Sequence, residues 1–141
     1  MERAAHWGVG NGWAIAGMVR VLYLLPDDMT TEKEQLLGWI KQAIDGVLAH
    51  QRHDGLFHNV LDDAETFVDA NVAQQIAYSI FRLAKHGDID EKYTERCLSI
   101  RSAVYERVDE FGLVRGVCGS PYFDCSGTAY VLFHTLRPLV C

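Results

Sequence analysis

Apolar residues recur at helical spacing in about five stretches of this chain, and the connections between them alternate in length. Pro26 to Thr30 and His86 to Ile89 are short, whereas Gln51 to Ala64 and Asp109 to Ser126 are long. Antiparallel helices reverse direction at every connection, so all the long loops fall at one end of the assembly. The pattern predicts an all-α fold of antiparallel helical hairpins, with function on the loop-bearing end.

The first helix is expected over about Asn11 to Leu25, ending before Pro26, which cannot continue it. The second is expected from Thr31, with Glu34 three residues on as a capping box. Its apolar face is Leu36, Leu37, Ile40, Ile44, Val47 and Leu48. A third covers about Glu65 to Lys85, burying Val72, Ala73, Ile76, Ala77, Ile80, Phe81 and Ala84, with Gly87 as its C-terminal cap. The fourth opens on Asp90 as N-cap and carries the stripe Tyr93, Cys97, Ile100, Val104 and Val108. A last helix is expected over about Gly127 to Leu136, and little of the remainder reads as strand. At 141 residues, one domain over 1–141 is the default.

A short internal echo supports the hairpin reading. Gly55-Leu56 is followed by Val60, and Gly112-Leu113 by Val117, a separation suited to stacked hairpins sharing one core.

Charge and composition exclude several function classes. The net charge is −6 with no basic run, so nucleic acid is not an expected partner. The apolar run Trp13 to Leu25 is too short, and too charged at Arg20, to span a bilayer, and no small-residue cleavage site follows it. Hence neither a membrane partner nor a targeting segment is expected, and the compartment stays open. Cys97, Cys118, Cys125 and Cys141 match no zinc-binding spacing, nor do the histidines, so no metal or cofactor is expected. Cys118 and Cys125 read either as a disulfide across a loop or as ordinary thiols.

The N-terminal run His6-Trp7-Gly8-Val9-Gly10-Asn11-Gly12-Trp13-Ala14-Ile15-Ala16-Gly17 resembles the W-x-R-G-N-G-W-x-x-x-G signature of glycoside hydrolase family 105, which is related to family 88. Gly55 through Asp63 resembles that family's G-L-W-H-x-V-x-D-D segment. Gly112 through Gly119 resembles its D-x-x-G-L-V-x-x-V-C-G segment. The three motifs occur in order and cover essentially the whole chain.

The resemblance implies a partial (α/α) six-hairpin toroid, corresponding to the C-terminal portion of the fold. The implied substrate is an oligosaccharide with a 4,5-unsaturated uronic acid at its non-reducing end. In that family an aspartate protonates the double bond and helps water add, after which the hemiketal collapses and breaks the glycosidic link. The hairpins bearing that aspartate would lie upstream of this chain, and the motif arginine is Val9 here. A branched aliphatic side chain cannot hold a carboxylate as a guanidinium does. The expectation is a truncated or degenerate hydrolase, inactive alone, and no residue is assigned as catalytic.

As substrate-binding candidates the motifs give Trp7, Asn11, Trp13 and His58. Trp7 and Trp13 read either as sugar-stacking platforms or as core aromatics. Asn11 reads equally as a helix cap, and His58 as a loop histidine satisfied by its neighbours. Asp62 and Asp63 read as turn or cap residues, since adjacent side chains do not face each other. Ser120 and Tyr122 fall in the last loop, where building the turn competes with approaching substrate. A second reading is a non-catalytic module that self-associates or pairs with an N-terminal half through open toroid edges. A third is a helical repeat scaffold without sugar chemistry.

Overall fold

The computed structural model describes residues 5–117 together with the backbone of 129–131. Among them are four helices: α1 (Gly8–Leu22), α2 (Thr30–Leu48), α3 (Ala70–His86) and α4 (Glu91–Tyr105). Two short antiparallel pairs accompany them, β1 (Phe57–His58) with β2 (Val68–Asp69), and β3 (Val114–Val117) with β4 (Ala129–Val131). The class is mostly helical, as the periodicity indicates.

The helices form two antiparallel hairpins, α1 on α2 and α3 on α4, with α1 and α3 packed side by side. This is a segment of an α/α toroid. Val19 of α1, Ile40 and Ile44 of α2, Ile76, Ile80 and Leu83 of α3, and Ile100 of α4 are wholly buried in one shared cluster. Each such side chain contributes about 1.5–3 kcal/mol on burial. Leu56 and Phe57 enter the same cluster from the long loop, tying it to the core.

Several boundaries differ from the sequence reading. α1 begins at Gly8, so Asn11 lies inside its first turns and is not the cap. It ends at Leu22, because residues 23–25 tighten into a turn in which the N–H groups of Leu24 and Leu25 both donate to Val21 O. Leu25 precedes Pro26, and a residue before proline disfavours helix. α2 starts at Thr30, with Met29 at the cap and no side-chain capping bond, so the Thr31–Glu34 box does not form. The turn in which Met29 N donates to Pro26 O brings the chain into helix one residue early.

α3 starts at Ala70 rather than near Glu65. Asp63 diverts residues 65–69 by accepting from Glu65 N through Oδ1 at 3.0 Å and from the Thr66 hydroxyl through its carbonyl at 2.7 Å. Val68 and Asp69 then pair with β1 as strand. The caps at the other ends follow the sequence. Gly87 is left-handed with φ 78° and closes α3, while Asp90 accepts from Lys92 N at 3.0 Å and opens α4.

The helix expected over 127–136 is strand at Ala129–Val131, where the backbone pairs with β3 instead of closing helical turns on itself. The rest of that segment, with Cys118, Cys125, Ser120, Tyr122, His134 and Cys141, lies outside the described residues. No described helix is long and apolar enough to cross a membrane.

The sequence echo is a repeated turn. Arg52 N donates to Leu56 O at 2.9 Å and Gly55 N returns to Arg52 O at 3.0 Å; Asp109 N to Leu113 O and Gly112 N to Asp109 O repeat both bonds at 2.9 Å. Both glycines hold positive φ, 85° and 79°, which is why glycine recurs there. Each turn feeds a short strand, β1 or β3, at the same end of the bundle.

Candidate functional site

The glycines of the N-terminal motif have distinct packing duties. A Cβ on Gly8 would sit 3.3 Å from the carbonyl oxygen of Asn59, and that close approach lets Gly8 N donate to it at 2.8 Å. The long loop thereby satisfies a free donor at the N-terminus of α1. A Cβ on Gly10 would fall 2.8 Å from the Trp7 ring, which folds back over that position. One on Gly12 would fall 2.0 Å from a terminal amide atom of Gln75, reaching across from α3. Trp7 and Trp13 are therefore seated by the glycines between them.

Trp7 is 44% exposed, and its indole N–H donates to Asn59 Oδ1 at 3.2 Å. Asn11 is exposed and returns its side-chain N–H to Trp7 O at 2.8 Å. Trp13 is 62% exposed, with its indole N–H 3.2 Å from the Gln75 amide oxygen in the amide orientation that satisfies both groups. A helix turns about 100° per residue, so Asn11 and Trp13 lie on opposite sides of α1. Asn11 joins His6, His50 and Leu61 around a groove of about 250 Å³ toward α2, whereas Trp13 borders α3. The candidates thus divide between two faces.

His58 lies in the loop wall, half-buried, with both ring nitrogens engaged. Nδ1 is 2.8 Å from Thr66 O, and Nε2 is 2.8 Å from Arg52 Nη1. Arg52 also forks onto Asp54, with Nη2 3.0 Å from Oδ2. These bonds hold the loop and leave neither ring nitrogen open to a ligand in this arrangement.

The carboxylates follow a consistent direction. Burial acts to raise Asp54, yet the Arg52 guanidinium and the Leu56 N–H hold its carboxyl below the ordinary value. Asp62 is lowered chiefly by the hydrogen bond from His6 Nδ1, 2.8 Å away. Asp109 is lowered by the Leu113 N–H, against burial, with help from the Phe111 N–H and Arg115. A proton donor needs the opposite shift. Asp69, wholly buried, caps α3 by accepting from Asn71 N at 2.8 Å, so the chain's own carboxylate occupies that helix N-terminus. Val9, at the motif's arginine position, is 5% exposed and packs in the core.

The sequence reading missed Gln75, Asn59 and Arg52, which hold Trp13, Trp7 and His58. Gln75 is one of two polar residues, with Ser79, on the buried face of α3, and that polar intrusion was its only signal. Among the described residues no three His, Cys, Asp or Glu side chains gather as for a metal ion.

Comparison with known proteins agrees with this architecture. The chain is 27% identical over 113 residues to the unsaturated rhamnogalacturonyl hydrolase YesR of Bacillus subtilis, covering 79% of this chain and 30% of that protein. It superposes with TM-score 0.75 and 20% identity on a possible family 105 member from Salmonella enterica, covering 82% of this chain and 31% of that one. A family 88 glycosyl hydrolase from Bacteroides vulgatus gives 0.76 at 17% identity, covering 90% and 37%. The chain spans about a third of the length of these relatives. Residues 2–130 match the family model described as Glycosyl Hydrolase Family 88, and the chain belongs to that family.

Proposed function

We propose that this chain, as the C-terminal part of a six-hairpin toroid, binds the unsaturated uronyl end of a pectin-derived oligosaccharide against Trp13 and does not complete its hydrolysis alone. The observation that carries the binding reading is the setting of Trp13 in the second turn of α1, within the half of the helix nearer the long loops. Its ring is exposed, its N–H is tied inward, and Gly17 follows one turn later with open space where a side chain would stand. Helical side chains lean toward the N-terminus, so a larger residue at 17 would lean over the ring. A flat, uncovered indole suits the apolar face of a pyranose. Trp7, Asn11 and His58 shape the adjoining loop, and Trp7 offers a second exposed ring.

The family relationship supports a glycosidase-type ligand, and similarity to YesR supports the unsaturated rhamnogalacturonyl class. Inactivity is supported by Val9 in the core and by the downward shifts of Asp54, Asp62 and Asp109. Calorimetric titration with an unsaturated rhamnogalacturonan disaccharide, beside ultraviolet absorbance of its double bond, tests both parts. Binding with flat absorbance is expected. Loss of the double-bond signal overturns inactivity, and absence of binding overturns the sugar reading.

A second reading, association through uncovered helix faces, is favoured by the exposure of Trp13 and Val21 on α1, of Leu24 in the turn after it, and of Trp39 on α2. Sedimentation across a concentration series would then show mass rising above one chain, and Trp39→Ser would reduce that rise. A constant single-chain mass overturns it.

A further inference from the structure

Gln75 is a polar residue on the buried face of α3, only 9% exposed, with no part in any helix cap. Its amide reaches across to α1 and meets two groups one helical turn apart. The amide oxygen accepts from Trp13 Nε1 at 3.2 Å, and the amide nitrogen donates to Val9 O at 3.2 Å. Buried amides are costly unless both ends are bonded, and these partners satisfy one donor and one acceptor. Gly12 makes the approach feasible, because any β-carbon there would collide with the amide at 2.0 Å.

We propose that Gln75 is a positioning residue that fixes the indole of Trp13 for stacking on sugar. An exposed tryptophan ordinarily samples several rotamers, and ordering it on binding costs affinity. Here the N–H edge is tied before any ligand arrives. The same bond consumes the only hydrogen-bonding group of the indole. Trp13 therefore recognises the apolar face of the unsaturated ring by contact alone, and the sugar hydroxyls must be read by other groups. This inference rests on the reading of Trp13 as a sugar platform, but its geometric half is measurable without sugar.

The test is hydrogen exchange of the indole N–H resonances in the full chain, with the Trp13 signal assigned through Trp13→Phe. In the unmodified chain the Trp13 indole N–H is expected to exchange about five-fold or more slowly than that of Trp39, a residue of comparable exposure at 54%. Equal rates overturn the proposal. Gln75→Met keeps the length but not the acceptor. With circular dichroism unchanged, it is expected to remove the protection and to weaken binding of the unsaturated rhamnogalacturonan disaccharide about five-fold. Retained protection in a folded Gln75→Met chain overturns the proposal. Retained affinity with lost protection overturns its functional half. Should the unmodified chain bind no disaccharide, the sugar reading falls, while the exchange rates still decide whether Gln75 holds the ring.

Discussion

Arg52 donates from Nη1 to His58 Nε2 at 2.8 Å, and that one bond fixes the state of the imidazole. An arginine can only donate, so Nε2 must present its lone pair. The Thr66 carbonyl, 2.8 Å from Nδ1, can only accept, so Nδ1 carries the proton. His58 is thus a neutral Nδ1–H tautomer joining both sides of the long loop. Long-range proton–nitrogen correlation is expected to show that tautomer, and the Nε2–H pattern would refute it. Arg52→Met should release the ring, and urea unfolding should show a loss of about 1–2 kcal/mol.

The glycines of α1 make a paired prediction with opposite signs. Alanine is a better helix former than glycine by about 0.8–1 kcal/mol. At Gly17 an added Cβ meets nothing within 4 Å, so Gly17→Ala should stabilise the chain by roughly 0.5–1 kcal/mol. At Gly12 the Cβ would strike the Gln75 amide, and overpacking of this kind costs about 1–3 kcal/mol. Gly12→Ala should therefore be net destabilising and should raise the mobility of Trp13. Thermal unfolding of both variants checks the pair, and shifts of the same sign would refute it.

Which parts of this molecule were readable from sequence follows from the range of the interactions involved. The helix caps at Gly87 and Asp90 depend on one or two neighbouring residues, and the sequence placed them correctly. The echo of Gly55 and Gly112 was visible because each turn needs its own left-handed glycine. The start of α3 was missed because Asp63 and Thr66 bend the chain locally while β1, a distant segment, claims Val68 and Asp69. The motif around Trp7 was recognised as a pattern, but its reasons lie elsewhere in the chain. Gly8 answers to Asn59 and Gly12 to Gln75, partners that no local spacing reveals. That Asn11 and Trp13 serve different faces follows from their two-residue spacing once α1 is seen to begin at Gly8 and to include both.

Acid should unfold the chain through its lowered carboxylates. Asp54, Asp62 and Asp109 all sit below the ordinary carboxylate value of 3.8 when folded. Folding therefore favours their charged forms. Their contribution is fully present above 3.8 and is lost as pH falls through the folded values. The urea midpoint is expected to drop steeply below that point. Asp54→Asn removes one of the three, so it should lower stability near neutrality and flatten the acid limb. An acid limb unchanged by Asp54→Asn would show that the Arg52 fork contributes nothing to the pH response.

Cys97 offers a direct probe of the core. Its side chain is wholly buried, with Sγ 3.9 Å from Ala77 O across the α3–α4 interface. Burial pushes the thiol up to about 12 from an ordinary 9.0, against a small lowering by Arg96. The neutral thiol is the folded form, so this contribution to stability is complete below 9.0 and fades only as pH rises toward 12. At neutral pH neither access nor ionisation favours alkylation. Iodoacetamide should leave the Cys97 peptide unmodified in the folded chain and label it fully in urea, as read by mass spectrometry. Its labelling rate should follow the global opening equilibrium, rising in Gly12→Ala and falling in Gly17→Ala. Rapid native labelling of Cys97 would mean that α4 opens locally, independently of the rest of the core.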